Sequence, residues 1–350
     1  MKMVAAVLES YKCPLRLVEL DIPKLQRGQV LVKIQYSAIC RSQLMEINGL
    51  RGQDKWLPHL LGHEASGIVV DTGADVAKVK PGEEVVLTWI KSTGIDAAPP
   101  KYFYNGKTIN AGPITTFSTF TIVSENRLVS KPVGLNMDVA VLFGCALATG
   151  SGMVLNELDI APSDNVIVLG LGGVGMGALL ALKAMGANKV IAVDTDPVKC
   201  EFAERLGATA IYNNNPTDLR SALETKMPSG ADYCIEAGGT TDSIELGFSV
   251  INPYSGTLLF ASHPPNGEKI RLDPHALIRG KNIKGSWGGE FKPDRDVPRL
   301  LKLLVDRNIS LSPLTRNQYS FLEINSAVED FSAGKIFRPI LIMDNELETI

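Results

Sequence analysis

Residues 166–177 read VIVLGLGGVGMG, and Gly170, Gly172 and Gly175 within them fit the pattern G-x-G-x-x-G. An apolar run precedes the glycines and a helical pattern follows, the setting this pattern needs. The first glycine permits a tight turn, the second lets a pyrophosphate approach the backbone, and the third lets helix and strand pack closely. Gly173 and Val174 open the helix, whose N-terminus offers unpaired N–H groups and the positive end of its dipole. Asp194 closes the next apolar run, VIAVD, 19 residues after Gly175. A carboxylate there accepts from the ribose 2′-hydroxyl of NAD and repels the 2′-phosphate of NADP. The bland alternative is a plain glycine turn with a helix-capping Asp. Strand, helix and acid arriving in this order favour dinucleotide binding.

Cys40 lies in AICRS, His63 in LLGHEASG and Cys145 in FGCALATG. No C-x-x-C or H-E-x-x-H spacing links them. Spacing alone leaves open whether they hold a metal or are, like many buried cysteines, small hydrophobes. Their chemistry says more. Two cysteines and a histidine are a recognised catalytic zinc set, with a fourth position left open. Zinc lowers the pKa of a bound hydroxyl, and an alkoxide so formed can release hydride to a nicotinamide carbon. A dinucleotide site and a Cys/His/Cys zinc site would therefore serve one reaction.

The elements that must position these residues change character along the chain. Up to about residue 146 the runs are strand-like: Val4–Leu8, Leu15–Leu20, Val30–Tyr36, Gly67–Val70, Val85–Trp89, Phe120–Val123 and Leu128–Val129. They alternate apolar with polar or are β-branched, and Gly and Pro punctuate them, which predicts an antiparallel β-rich domain. From Leu147 strands and helices alternate, with strands predicted at 166–169, 189–193, 210–212, 233–236 and 257–260. Helices are predicted at 174–185, 197–206, 217–225 and 242–250. That rhythm predicts βαβ units in a parallel sheet. A closing strand is expected at 283–287, helices at 297–305 and 324–331, and a last apolar strand at 337–342.

At 350 residues the chain has room for about two domains. Its 45% hydrophobic and 21% charged residues exclude a disordered or fibrous chain. With 35 basic and 38 acidic residues the net charge is −3, which gives no sign of a nucleic-acid partner. The five cysteines, Cys13, Cys40, Cys145, Cys200 and Cys234, are odd in number and scattered, so a reducing cytoplasm is the expected home. The N-terminus is too weakly apolar for a signal peptide, and no apolar run approaches the roughly 18 residues a membrane helix needs.

The segments AICRS, PHLLGHEASGIV, VKPGEEVV, FGCALATG, VLGLGGVG, IKGSWGG and GKIFRPIL occur in that order. Together they resemble the zinc-dependent alcohol dehydrogenases of the medium-chain dehydrogenase/reductase superfamily, nearly end to end. The resemblance implies an α/β chain with a GroES-like β-rich catalytic domain at 1–146, completed by 288–350. It implies a Rossmann domain, a doubly wound parallel sheet that binds NAD, at 147–287, and an active site in the cleft. Cys40, His63 and Cys145 would be the zinc ligands, with Glu64 a carboxylate able to approach the metal and assist ligand exchange. Ser42 would take the alcohol proton. Arg41 and Arg338 would pair with the pyrophosphate, Thr149 would pack near the nicotinamide, and Lys199 would join Asp194 at the adenosine ribose. Trp89 falls at a pocket aromatic of the family and Trp287 near a pocket-lining stretch. They would narrow the cleft or stack on a sugar-like ring; the alternative is that they fill the core. The implied partner is a small alcohol and its carbonyl, with polyols, cyclitols and amino-alcohols among the candidates. Homodimers or homotetramers formed across a sheet edge are implied as well. Two rival readings are a zinc-free quinone or enone reductase of the same superfamily and a non-catalytic NAD-binding protein. The full ligand set and Asp194 argue against the first.

The chain departs from the family in three places. Residues 91–112, where relatives often carry four cysteines for a structural zinc, contain none. One catalytic zinc per chain and no structural zinc are therefore expected, the lobe being held by packing, with Tyr102, Phe103 and Tyr104 as candidates. Met45 stands where well-known members have a proton-relaying His, and Met cannot relay a proton. The proton is then expected to leave Ser42 through the cofactor ribose and water. Gln43 stands where an Asp commonly supports the histidine ligand; it can hydrogen-bond but brings no charge. His59 and His263 are expected to be structural.

Overall fold

Along Gln29–Ala38, Val30, Val32 and Ile34 point into one apolar core while Leu31 enters another, so both faces of this strand are covered. A strand apolar on both faces belongs in the middle of a sheet. The computed structural model, which describes residues 1–187, 189–212 and 216–343, places it there. Its sheet runs Leu128–Ser130, Glu84–Thr88, Glu64–Thr72, Gln29–Ala38, Pro339–Ile342, Asn317–Ser320, with Phe120–Ser124 also paired to Gln29–Ala38. A smaller sheet joins Arg16–Asp21, Lys2–Leu8 and His59–Leu60. These elements belong to one unit, made of Met1–Cys145, Lys292–Pro298 and Leu311–Ile350.

The register of the larger sheet decides what comes together. Ser37 pairs with Ala65, Glu64 with Thr88, and Ile340 with Ala38. The backbone N–H of Ile39 donates to Pro339 at 3.0 Å. Cys40, His63, Trp89 and Arg338, far apart in sequence, therefore leave their strands at the same end of the sheet.

Within the cysteine-free stretch of this unit, residues 94–95 are held by a buried carboxylate. Glu125 is 3% exposed. Its Oε1 accepts from the N–H groups of Ala77 and Lys78, both at 2.7 Å, and its Oε2 from Ile95 at 2.8 Å. Gly94, at φ +110°, lies against it; a Cβ there would stand 2.8 Å from Glu125 Cγ. Lys78 pairs with Asp294 at 2.6 Å, and Asp294 accepts from the Thr93 N–H at 2.8 Å and hydroxyl at 2.6 Å. Of the three aromatic candidates, Tyr102 is buried in the core and Tyr104 carries the Arg16 guanidinium on its ring, but Phe103 is 65% exposed. Successive residues of the short Tyr102–Tyr104 strand point to opposite sides, so all three could not be core.

The second unit comprises Ala146–Phe291 and Arg299–Ser310. Its six strands are all parallel, in the order Thr209–Tyr212, Lys189–Asp194, Asn165–Leu169, Tyr233–Glu236, Thr257–Phe260, Asn282–Gly285. Numbered along the chain this is 3-2-1-4-5-6, the order of the doubly wound dinucleotide-binding sheet. The expected strands and the Gly173–Met185 helix appear within a residue or two. The helix Ala146–Gly152, continued as a π-helix over Met153–Glu157, was not legible. Its glycines hid the helical period. The short helices Arg41–Ile47 and Pro274–Arg279 were missed too.

Candidate active site and metal centre

Cys40 caps the helix Arg41–Ile47, one residue past the partner of Pro339. His63 immediately precedes the strand Glu64–Thr72, whose start is fixed by the hydroxyls of Ser37 and Thr116 donating to the Glu64 carbonyl at 3.0 and 3.2 Å. Cys145 follows a 3₁₀ turn, Val141–Gly144, that can lie this close to Glu64 only because Gly144 has no side chain. A Cβ there would stand 2.7 Å from the Glu64 Cβ. The ligand atoms of Cys40, His63, Glu64 and Cys145 all lie within 4.8 Å of one another, the one such group of three or more among the described residues. His63 Nε2 is 3.1 Å from Cys145 Sγ, and its Nδ1 meets the Gln43 carboxamide.

Burial makes the electrostatics of this cluster severe. The Cys145 thiol donates to Cys40 and, with His63 and Arg338, holds the Cys40 thiol well below its usual range. The same contact with Cys40, together with burial, holds Cys145 well above it. Burial disfavours charge on His63, but the Cys40 sulfur outweighs it and raises the imidazole. Burial lifts Glu64 to about 7 against the opposing pull of Arg338. Glu64 is fully buried and Arg338 5% exposed, and the Arg338 guanidinium forms an ion pair with the Glu64 carboxylate. Two sulfurs and an imidazole at these separations suit a tetrahedral zinc, whose bonds of about 2.3 Å to sulfur and 2.0 Å to nitrogen set donors roughly 3.5 Å apart. The residues present fit the ion.

Ser42, in the first turn of the helix behind Cys40, has a buried hydroxyl with no hydrogen-bond partner among the described residues. Such an orphan is costly and calls for an explanation. Met45 is buried on the same helix and Arg41 is exposed. Trp89 follows Thr88, the partner of Glu64, and packs against the core of its unit.

In the second unit the fingerprint has the expected physical form. A Cβ on Gly175 would stand 2.9 Å from the Gly170 carbonyl carbon, whereas one on Gly172 would meet nothing within 4 Å. Gly172 caps the Gly173–Met185 helix, so open space lies before its first N–H groups, including those of Gly173 and Val174. Asp194 is anchored to this turn: its Oδ2 accepts from the Leu171 N–H at 2.6 Å and its Oδ1 from that of Asp196 at 2.9 Å. Lys199 Nζ lies 3.5 Å from Asp194 and 3.6 Å from Asp196. Thr149 is buried on a helix packed against Gly173–Met185. Trp287 is 70% exposed and meets the His263 ring edge-on at 5.9 Å.

Sequence reasoning overlooked Glu236. It is fully buried, and its Oε1 accepts from the Gly238 and Gly239 N–H groups and the Ser243 hydroxyl at 2.7, 3.0 and 2.6 Å. It thereby fixes the backbone that abuts Gly170. The signal was present in CIEAGG, an acid ending an apolar strand just before two glycines.

Residues 26–133 match the family model of the alcohol dehydrogenase GroES-like domain, and residues 173–306 that of the zinc-binding dehydrogenases. The chain belongs to the zinc-dependent alcohol dehydrogenase family. An S-(hydroxymethyl)glutathione dehydrogenase of Escherichia coli is 28% identical to it over 97% of this chain and all of its own length. Benzyl alcohol dehydrogenase of Acinetobacter calcoaceticus superposes with a TM-score of 0.88 at 26% identity, covering 98% of this chain and 100% of its own. A zinc-binding-domain alcohol dehydrogenase of Burkholderia ambifaria gives 0.89 at 25% identity, covering 99% and 100%. This dehydrogenase is accordingly a zinc-dependent oxidoreductase of small-molecule alcohols that uses a nicotinamide cofactor, built from a GroES-like domain and a Rossmann sheet. Among its described residues no single helix is long and apolar enough to cross a membrane.

Proposed function

We propose that this dehydrogenase interconverts a primary or secondary alcohol and its carbonyl with NAD, using one catalytic zinc per chain and no structural zinc. The observation that carries the reading is the convergence of Cys40, His63 and Cys145 within 4.8 Å. These three would hold the ion, which when bound acts as a Lewis acid that lowers the alcohol pKa. The orphan Ser42 hydroxyl is the first acceptor of the alcohol proton. From there the proton would pass to a ribose hydroxyl of the bound cofactor and to water, because Met45 cannot carry it. Glu64, whose carboxylate lies within 4.8 Å of the other ligand atoms, would assist ligand exchange at a bound ion and is steadied by Arg338. Arg41 and Arg338 serve the pyrophosphate and Thr149 the nicotinamide side. Gly170, Gly172, Gly173, Val174 and Gly175 form the phosphate cradle.

Asp194 supports NAD over NADP, since its anchored carboxylate would repel a 2′-phosphate; Lys199 lies beside it but is already engaged by two carboxylates. The substrate candidates are an aromatic or ring-shaped alcohol such as a cyclitol, which Trp89 would face as a ring, alongside polyols and amino-alcohols. Five free cysteines suit a reducing cytoplasm. The edge strand Asn282–Gly285, with Tyr254 and Ile278 exposed beyond 70%, supports a homodimer or homotetramer.

The deciding experiment is zinc per chain on protein purified without added metal, with Cys40→Ser alongside. One zinc, lost in the variant, is the expected result. Two zincs would overturn the single-site reading. No zinc after reloading would overturn the Lewis-acid mechanism and restore the zinc-free reductase.

A further inference from the structure

Gln43, the third residue of the Arg41–Ile47 helix, stands between two groups. Its Oε1 accepts from the Cys40 backbone N–H at 2.9 Å, and its Nε2 meets Nδ1 of His63. A backbone N–H can only donate, so Cys40 fixes the place of the oxygen and the NH₂ must face the imidazole. Nδ1 of His63 is then an acceptor. The ring hydrogen sits on Nε2, from which it donates to Cys145 Sγ at 3.1 Å.

That arrangement is consistent for the side chains alone and inconsistent with a metal on Nε2. A histidine that ligates through Nε2 carries its hydrogen on Nδ1 and donates it to an acceptor. With Gln43 as it stands, Nδ1–H would meet an NH₂, donor against donor. Turning the amide over puts its oxygen on the imidazole, but takes the acceptor away from Cys40. Gln43 has one acceptor atom for two N–H groups, where a carboxylate has two. It is 1% exposed, so solvent does not supply the missing partner.

We propose that Gln43 is a positioning residue that turns over when His63 takes the metal. Its oxygen passes from the Cys40 N–H to the His63 Nδ1–H. The loaded site is consequently held less tightly than an acid at this position would hold it. The helix that carries Ser42 loses the acceptor at its N-terminus in the loaded protein. This rests on the zinc reading above.

Two measurements on the full chain test it: zinc affinity by competition with a chromophoric chelator, and hydrogen exchange at the Cys40 amide before and after zinc loading. Gln43→Glu keeps the size and replaces the NH₂ by an oxygen. Its zinc Kd should fall by about 10–100-fold relative to wild type, the usual weight of a ligand-supporting contact. In wild type the Cys40 amide should exchange faster once zinc is loaded, against the general slowing that metal binding brings elsewhere; in Gln43→Glu it should stay protected in both states. A new negative charge would attract zinc by itself, so the amide decides. Gln43→Leu, which offers no acceptor, sets the rate for an unprotected Cys40 amide. Zinc uptake with an unchanged Cys40 amide in wild type overturns the inference and leaves the zinc reading standing. So does a Gln43→Glu protein of wild-type unfolding midpoint that binds zinc no more tightly. Absence of any zinc that Cys40→Ser removes overturns the zinc reading and the inference with it. The wild-type comparison needs no substitution and decides even where a variant fails to fold.

Discussion

At one end of the larger sheet, two thiols, an imidazole and a carboxylate crowd within 4.8 Å, and their protonation is pushed far from its ordinary state. In the same unit, residues 93–95 are gathered by Glu125 and Asp294, carboxylates whose partners are backbone N–H groups, a lysine and a threonine. The first region gathers metal-ligating atom types at one point, with Arg338 beside Glu64 as its one guanidinium partner. The second spends its carboxylates on backbone N–H groups, a lysine and a hydroxyl. Both use buried charge, but only the first brings two thiols and an imidazole face to face. The comparison separates a site from a brace: ligating atoms at a converging point can do chemistry, whereas carboxylates spent on N–H groups hold a loop.

The largest effect that would sharpen this contrast is at the site. His63→Ala should abolish zinc retention and lower kcat/KM by about 10³-fold or more, since a Lewis-acid metal supplies several kcal/mol to the transition state. The unfolding midpoint should move far less. Retained turnover without zinc, measured by metal analysis beside reduction of the nicotinamide cofactor, would break the distinction.

Next is the brace. Glu125→Ala removes the acceptor of three half-buried N–H groups, which water can partly satisfy, so roughly 2–4 kcal/mol of stability should go. Urea unfolding reads this, and zinc per folded chain should be unchanged. Gly94→Ala should cost less, about 1–3 kcal/mol, from a positive φ and a Cβ pressed on Glu125.

The smallest effect is in pH. Burial works against charge on Glu125, but the N–H groups of Ile95, Lys78 and Ala77 win and lower its pKa from 4.5. For Asp294 the contacts with Lys78 and Thr93 likewise outweigh burial and lower it from 3.8. A carboxylate lowered on folding adds stability fully present above its unfolded pKa, and that stability is lost as pH falls through the folded value. Stability should therefore decline on acidification below about pH 5, and Asp294→Asn should make that decline shallower. An unaltered acid limb in this variant would show that Asp294 carries no brace.

How much of this could be seen in the sequence follows from distance along the chain. The cradle of Gly170, Gly172 and Gly175 with Asp194 was legible because it is local: one strand, one turn, one helix and the next strand. Cys40, His63 and Cys145 were legible only through family resemblance, because sheet register places the first two and the turn seated through Gly144 the third, not spacing. Glu125 was not legible at all. Its partners come from residues 77–78 and 95, and nothing in the string SENRL marks the acid as buried. The aromatic triplet misled in part because Tyr102 and Phe103 alternate across a strand that its three residues scarcely announce.

The pairing of Pro339–Ile342 with Gln29–Ala38 bears on how the chain is made. Leu15 and Asn325 are likewise joined by hydrogen bonds at 2.8 and 2.9 Å across 310 positions. During synthesis the early strands wait, for nearly the whole time of translation, for the partners that complete their sheet. The Rossmann strands, all between residues 165 and 285, have every neighbour available before that. The unit begun first on the ribosome is thus the last to close, and until it does the cysteine-bearing loops stand open in the nascent chain.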